Sequence, residues 1–216
     1  MPRRLREALG SSGGQGGMVP AGAQGMTPGG NPMNLAAPSD RDWTTAPLTE
    51  FLDYIVSRHH SYTRQALSRL AVLMQQTPKN GLGGDVETAR RAEALFGTLR
   101  TRLDHHLLAE ESNAFPMIRR MAAAGQAVSE AMQGRSASYL LEHLSGEHGI
   151  MHKLVSETQQ LLSSYTASQQ TSPTFNEFRI LLGALGGDLI QHSHLEDEVL
   201  FPRVRALESG IAGEAH

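Results

Sequence analysis

Apolar residues recur at three- and four-residue steps through four long stretches of the chain, the spacing of one face of an α-helix. The first stretch, about residues 48–76, carries Leu52, Ile55, Val56, Ala66, Leu70, Leu73 and Met74. Pro78 to Gly81 and the pair Gly83-Gly84 end it in a turn. A second helix opens at Asp85, a good N-cap, and runs to about 123 through Phe96, Leu99, Leu103 and Met117. Pro116 inside it is expected to kink or end it. After Gly134 a third helix, about 135–166, carries Ala137, Leu141, Leu144, Met151, Val155 and Leu162. The run Thr171-Ser172-Pro173 starts a fourth, because proline suits the first helical position. That helix runs to about 208 through Phe178, Leu182, Leu185, Leu189, Val199 and Leu200. Gly183, Gly186 and Gly187 lie within it; each costs roughly 1 kcal/mol against alanine, so they mark close helix packing or a bend. No stretch alternates like a strand. The pattern predicts an all-α fold, an antiparallel up-down four-helix bundle over residues 47–208.

Composition sets the limits of that domain. Residues 1–46 are dominated by Gly, Pro, Gln and other small residues. They cannot bury enough apolar surface to offset the entropy of ordering, and are expected to form a flexible tail; residues 209–216 form a short second one. Net charge is -3 with both signs mixed along the chain, so no basic stripe points to nucleic acid. No apolar run is long enough to span a membrane. Arg3, Arg4 and Arg6 lead into Gly and Pro, not an apolar segment, which does not read as a secretion signal. There is no cysteine, which is compatible with a reducing compartment, and a cytoplasmic location is expected. The same absence removes thiolate chemistry, so any metal must be held by nitrogen and oxygen.

Polar residues interrupt the apolar stripes in a repeated way. His106 with Glu110, and His192 with Glu196, sit one helical turn apart in line with Leu103 and Met117, and with Leu189 and Val199. The segments HLLAEESNAFP (106–116) and HSHLEDEVLFP (192–202) share His, Glu four later, Phe nine later and Pro ten later, 86 residues apart. His60 and His148 lie 88 residues apart. The chain therefore reads as two helical hairpins with one plan, which would bring four imidazoles and two carboxylates into one cavity. A buried ionisable cluster of that kind needs a cation to compensate it. Four or more imidazoles with two bridging carboxylates suit a pair of iron or manganese ions. The Glu-x-x-His spacing of ferritin-like di-iron bundles is absent. Helical phase alone leaves His59 and His60 open, and the repeat favours His60. His152, one turn beyond His148, is a seventh candidate; its counterpart in the first half is Arg64, which cannot ligate. An asymmetric site would follow, with one ion fully coordinated and the other open to a small molecule. His59, His105, His143 and His194 are expected on the surface or in support of the ligands. Glu111, Asp197 and Glu198 are expected on a solvated face, and Asp188 as an exposed carboxylate.

At these residues the sequence resembles the hemerythrin-like (HHE) cation-binding family. The resemblance covers about residues 44–208 and includes PLTEFLDYIVSRHHSYTR, HHLLAEESNAFP, EHGIMHK and HSHLEDEVLFP. Within the family, the opening and the EE..FP phrase look most like the iron–sulfur cluster repair proteins. The His-x-x-x-His step at 148 and 152 looks more like the O2-binding hemerythrins. The resemblance implies a centre of two iron ions, with manganese second, held by His60, His106, Glu110, His148, His152, His192 and Glu196. It implies a small ligand such as O2, nitric oxide or peroxide in stress response or repair of iron centres. Reversible O2 binding, and iron sensing through a protein partner, are the alternatives.

Overall fold

A computed structural model describes residues 41–76, 86–124, 136–163 and 173–210. Helix α1 (48–76) runs through Leu48–Tyr54, a π-helical turn Ile55–His60, and Ser61–Gln76. Helix α2 (86–124) runs through Val86–Ala109, a π-helical turn Glu110–Ala114, and Phe115–Ala124. Helix α3 is Ala137–Ser163, without a π turn. Helix α4 (173–208) runs through Pro173–His194, a π-helical turn Leu195–Leu200, and Phe201–Glu208. Among the described residues there is no strand. The all-α expectation and the four predicted helices therefore hold. The expected N-cap Asp85 and the turns at 78–84 and 134 lie outside the described residues, as do residues 1–40 and 211–216.

The order of packing shows the topology. One apolar cluster joins Leu52 and Ile55 from the start of α1, Ile118 and Met121 from the end of α2, Leu141 and Leu144 from the start of α3, and Leu200 and Val204 from the end of α4. Starts and ends alternate, so neighbouring helices run antiparallel. At the opposite end Leu70, Leu73, Leu99, Leu162, Phe175 and Leu182 are fully buried, and Phe96 meets Phe178 edge to face at 5.8 Å. The polar residues of the stripes fall between these two apolar ends.

Two local results depart from the sequence expectation and a third bears it out. Pro116 does not end α2, which continues to Ala124. It directly follows Phe115, whose N–H closes the wide π turn on the Glu110 carbonyl, so its missing N–H falls where the ladder is already resetting. Pro202 repeats this arrangement after Phe201. The last residues of the expected tail join the core. Trp43 stacks on Phe51 at 5.0 Å and Tyr54 at 4.6 Å, and Arg203 donates to the carbonyls of Trp43 and Ala46, both at 2.6 Å. Of the three glycines singled out in α4, Gly186 has the packing role. A Cβ there would lie 2.9 Å from Val155 Cγ1, so α3 and α4 approach closely at this point.

Candidate metal centre

The π turns explain how so many polar side chains reach one cavity. In each, a backbone N–H skips one carbonyl: Ser61 bonds Val56, Phe115 bonds Glu110, and Phe201 bonds Glu196. The extra residue per turn lowers the rotation between neighbours below the α-helical 100°. Adjacent residues can then both face inward. His59 and His60, Glu110 and Glu111, and Glu196 and Asp197 are the three pairs treated this way.

His60, Glu110, His192 and Glu196 form one cluster, and His106, Glu110, His148 and Glu196 a second, the ligand-capable atoms of each lying within 4.8 Å of one another. All six residues are buried. Both carboxylates are common to both clusters. Glu110 places one oxygen 3.2 Å from His60 Nε2 and the other 3.0 Å from His106 Nε2. Glu196 places one oxygen 3.2 Å from His148 Nε2 and the other 3.1 Å from His192 Nε2. The imidazoles meet in pairs, His60 with His192 at 3.2 Å and His106 with His148 at 3.1 Å, each Nε2 to Nε2.

The outer nitrogens are also held. His60 Nδ1 lies 2.7 Å from Glu111, His106 Nδ1 2.9 Å from Glu147, and His148 Nδ1 2.9 Å from Asp197. An Nδ1–H donating to a carboxylate leaves Nε2 as a lone pair. Two such lone pairs facing each other repel unless a cation stands between them. All four oxygens of Glu110 and Glu196 are buried with no hydrogen bond of good geometry, a costly state unless a positive charge is supplied. The donor set therefore fits first-row metal ions bound by nitrogen and oxygen.

Without metal, protons supply that charge. Burial alone would lower the imidazole pKa values, but the adjacent carboxylates more than reverse this. Glu110 raises His60 and His106, and Asp197 with Glu196 raises His148 to about 10. Burial and mutual repulsion would raise the pKa of Glu110, yet His106 and His60 hold it below the ordinary carboxylate value. Burial opposes ionisation of Glu196 too, and His192 and His148 hold it well below that value.

Two phenylalanines of the repeat close the cavity. Phe115 stacks on His60 at 5.5 Å and Phe201 stacks on His148 at 6.3 Å. Residues 52–204 match the family model described as the Hemerythrin HHE cation binding domain. The chain belongs to the hemerythrin HHE family. Among its relatives, the iron-sulfur cluster repair protein YtfE of Citrobacter koseri is 28% identical over 172 residues, covering 79% of this chain and 72% of the relative. The protein of the same name from Yersinia pseudotuberculosis is 28% identical over 166 residues, covering 76% and 69%. That from Salmonella paratyphi B matches at 28% over 172 residues, covering 79% and 72%. No described helix of this HHE chain is long and apolar enough to cross a membrane.

Six of the seven candidate residues thus come together, and His152 does not join them. Its Nε2 lies 3.1 Å from Ser193 Oγ and 3.4 Å from the Leu189 carbonyl, outside both clusters. Its counterpart Arg64 pairs with Glu111 at 2.9 Å. Three expectations about supporting residues need correction. Glu111 and Asp197 are not simply solvated, because each binds the outer nitrogen of a cluster imidazole. Asp188 is buried, not exposed, and lies 3.2 Å from His59 and 3.1 Å from Arg58. His59 is buried beside His192, the supporting alternative expected of it. Glu147 was not singled out from the sequence at all. The signal was its position immediately before His148, across the bundle from His106. His105, His143, His194 and Glu198 are exposed, as expected.

Proposed function

We propose that this chain is a non-haem di-iron protein acting in the repair of iron–sulfur centres. His60 and His192 would serve one ion, His106 and His148 the other, and Glu110 and Glu196 both. The observation that carries this is the sharing of two buried, otherwise unsatisfied carboxylates between two histidine pairs. A single-ion site would not need both. Family membership and the printed names of the relatives support the repair role.

Two ferrous ions would supply electrons and coordination positions for nitric oxide, peroxide or O2. The residues of the chain do the rest. Glu111, Glu147 and Asp197 fix three imidazoles in the tautomer that offers Nε2. Phe115 and Phe201 shield His60 and His148 from water. The contact of His152 with Ser193, outside both clusters, supports the repair reading over reversible O2 binding.

The test loads the full chain anaerobically with ferrous iron and adds it to an enzyme whose [4Fe–4S] cluster has been damaged by nitric oxide or peroxide. About two irons per chain and recovery of the damaged enzyme beyond that given by equal free iron are expected. One zinc per chain with no iron uptake, or no recovery by the iron-loaded protein, would overturn the proposal.

A further inference from the structure

The two hairpins repeat, and the supporting residues show where the repeat fails. In corresponding places Glu111 supports His60 and Asp197 supports His148, each following a shared glutamate. The remaining pair should correspond in the same way. Glu147, just before His148, supports His106 at 2.9 Å. The equivalent residue, just before His60, is His59. It lies flat against the ring of His192, with centroids 5.6 Å apart and planes 7° from parallel. The His192 N–H lies in the plane of its ring, so a parallel imidazole does not supply it the charged acceptor that a carboxylate would. Among the described residues no carboxylate binds the outer nitrogen of His192.

Charge follows the same division. Behind His60 and His192, Glu111 is paired with Arg64 at 2.9 Å and Asp188 with Arg58 at 3.1 Å. Each carboxylate there is neutralised by a guanidinium. Behind His106 and His148 stand Glu147 and Asp197, and among the described residues neither forms an ion pair with Lys or Arg. Among the described residues Glu147 forms one further histidine pair besides that with His106, to the exposed His143 at 3.8 Å. One histidine pair is thus backed by two uncompensated carboxylates. The carboxylates behind the other are each paired with a guanidinium, and one of its two imidazoles has no carboxylate on its outer nitrogen.

We infer that His106 and His148 hold their ion more tightly than His60 and His192 hold theirs, so that the chain retains one metal and yields the other. This rests on the two-ion reading above. A carboxylate on the outer nitrogen makes an imidazole a stronger donor and fixes its orientation, and loss of such a partner typically weakens metal binding by roughly 10–100-fold. His59 is the residue that sets the difference, as a positioning residue acting through His192. A chain built this way has an exchangeable ion, available to a damaged centre or to replacement, next to one that keeps the cavity assembled.

The test loads the full-length chain with ferrous iron under anaerobic conditions, measures the total, and follows release to a ferrous chelator. Two irons per chain, leaving in two phases of equal amplitude with rates roughly tenfold or more apart, are expected. His59→Glu should slow only the fast phase. Glu147→Gln, which keeps the side-chain shape and removes the charge, should speed only the slow phase. The second variant decides the matter if the first fails to fold. Two irons leaving in one phase, or Glu147→Gln acting on the fast phase, would overturn the inference while leaving the two-ion reading intact. Fewer than two irons in the unmodified chain would overturn both.

Discussion

Raising the pH of the metal-free protein should destabilise it, because protons on the cluster imidazoles stand in for the missing cations. The sign follows from His148. Its pKa is about 10 in the folded chain against an ordinary value of 6.5, so the folded state keeps a proton that the unfolded state has released. The stabilisation is complete below about 6.5 and is lost as pH rises toward 10. In that window one retained proton corresponds to at most about 1.4 kcal/mol per pH unit. From pH 7 to 9 His148 alone accounts for a loss of roughly 3 kcal/mol, and His60 and His106, raised for the same reason, act in the same direction. For a domain of this size that is a fall in Tm of about 6–12 °C. Glu110 and Glu196, lowered by the same contacts, impose the opposite loss on acidification through the carboxylate range. Thermal melts of the chelator-treated protein followed by circular dichroism from pH 4 to 10 would show a maximum between about 4.5 and 6.5. The iron-loaded protein should diverge from it, since binding releases these protons and metal stabilisation grows with pH. A metal-free Tm that is flat or rises between pH 7 and 9, or a slope unchanged in His148→Gln, would refute the reasoning.

Further outcomes are expected from single substitutions. Glu196→Gln should lose most of both ions, because that carboxylate belongs to both clusters, whereas His192→Ala should retain about one; inductively coupled plasma analysis of the purified variants checks this. His152→Ala should leave iron content unchanged, since its ring is bound to Ser193 and Leu189, and loss of an ion would place it among the ligands after all. Trp43→Ala should cost about 3–5 kcal/mol of stability by removing a buried ring stacked on Phe51 and Tyr54, measured by urea unfolding; a change under about 1 kcal/mol would detach residues 42–46 from the core.

The fold was legible because each helix buries a stripe that keeps its phase over many turns. Leu52, Leu103, Leu141 and Leu189 could be assigned inward from spacing alone. His106, Glu110, His192 and Glu196 were legible because the His-x-x-x-Glu step occurs twice in matching text, and His60 and His148 because their offset matches it. What failed was local phase. Glu111 and Asp197 stand 100° round an ideal helix from their inward neighbours, and only the π turns bring them to the imidazoles. The first π turn buries both members of the His59-His60 pair, and Asp188 was misplaced because its partners, Arg58 and His59, come from across the bundle. The acidic pairs at 110–111 and 196–197 did carry a signal: a second carboxylate beside each shared one, in both halves. The position of His152 was not legible, because one turn from His148 places it on the correct face but not at the depth where Ser193 engages it.

The central claim is that two ions share Glu110 and Glu196. Crystals of the anaerobically iron-loaded chain, measured on both sides of the iron absorption edge, test it most directly. Two anomalous peaks are expected, one beside His60 and His192, the other beside His106 and His148, and both in contact with the two glutamates. A single peak, or a peak bound by His152 with either glutamate unengaged, would contradict it.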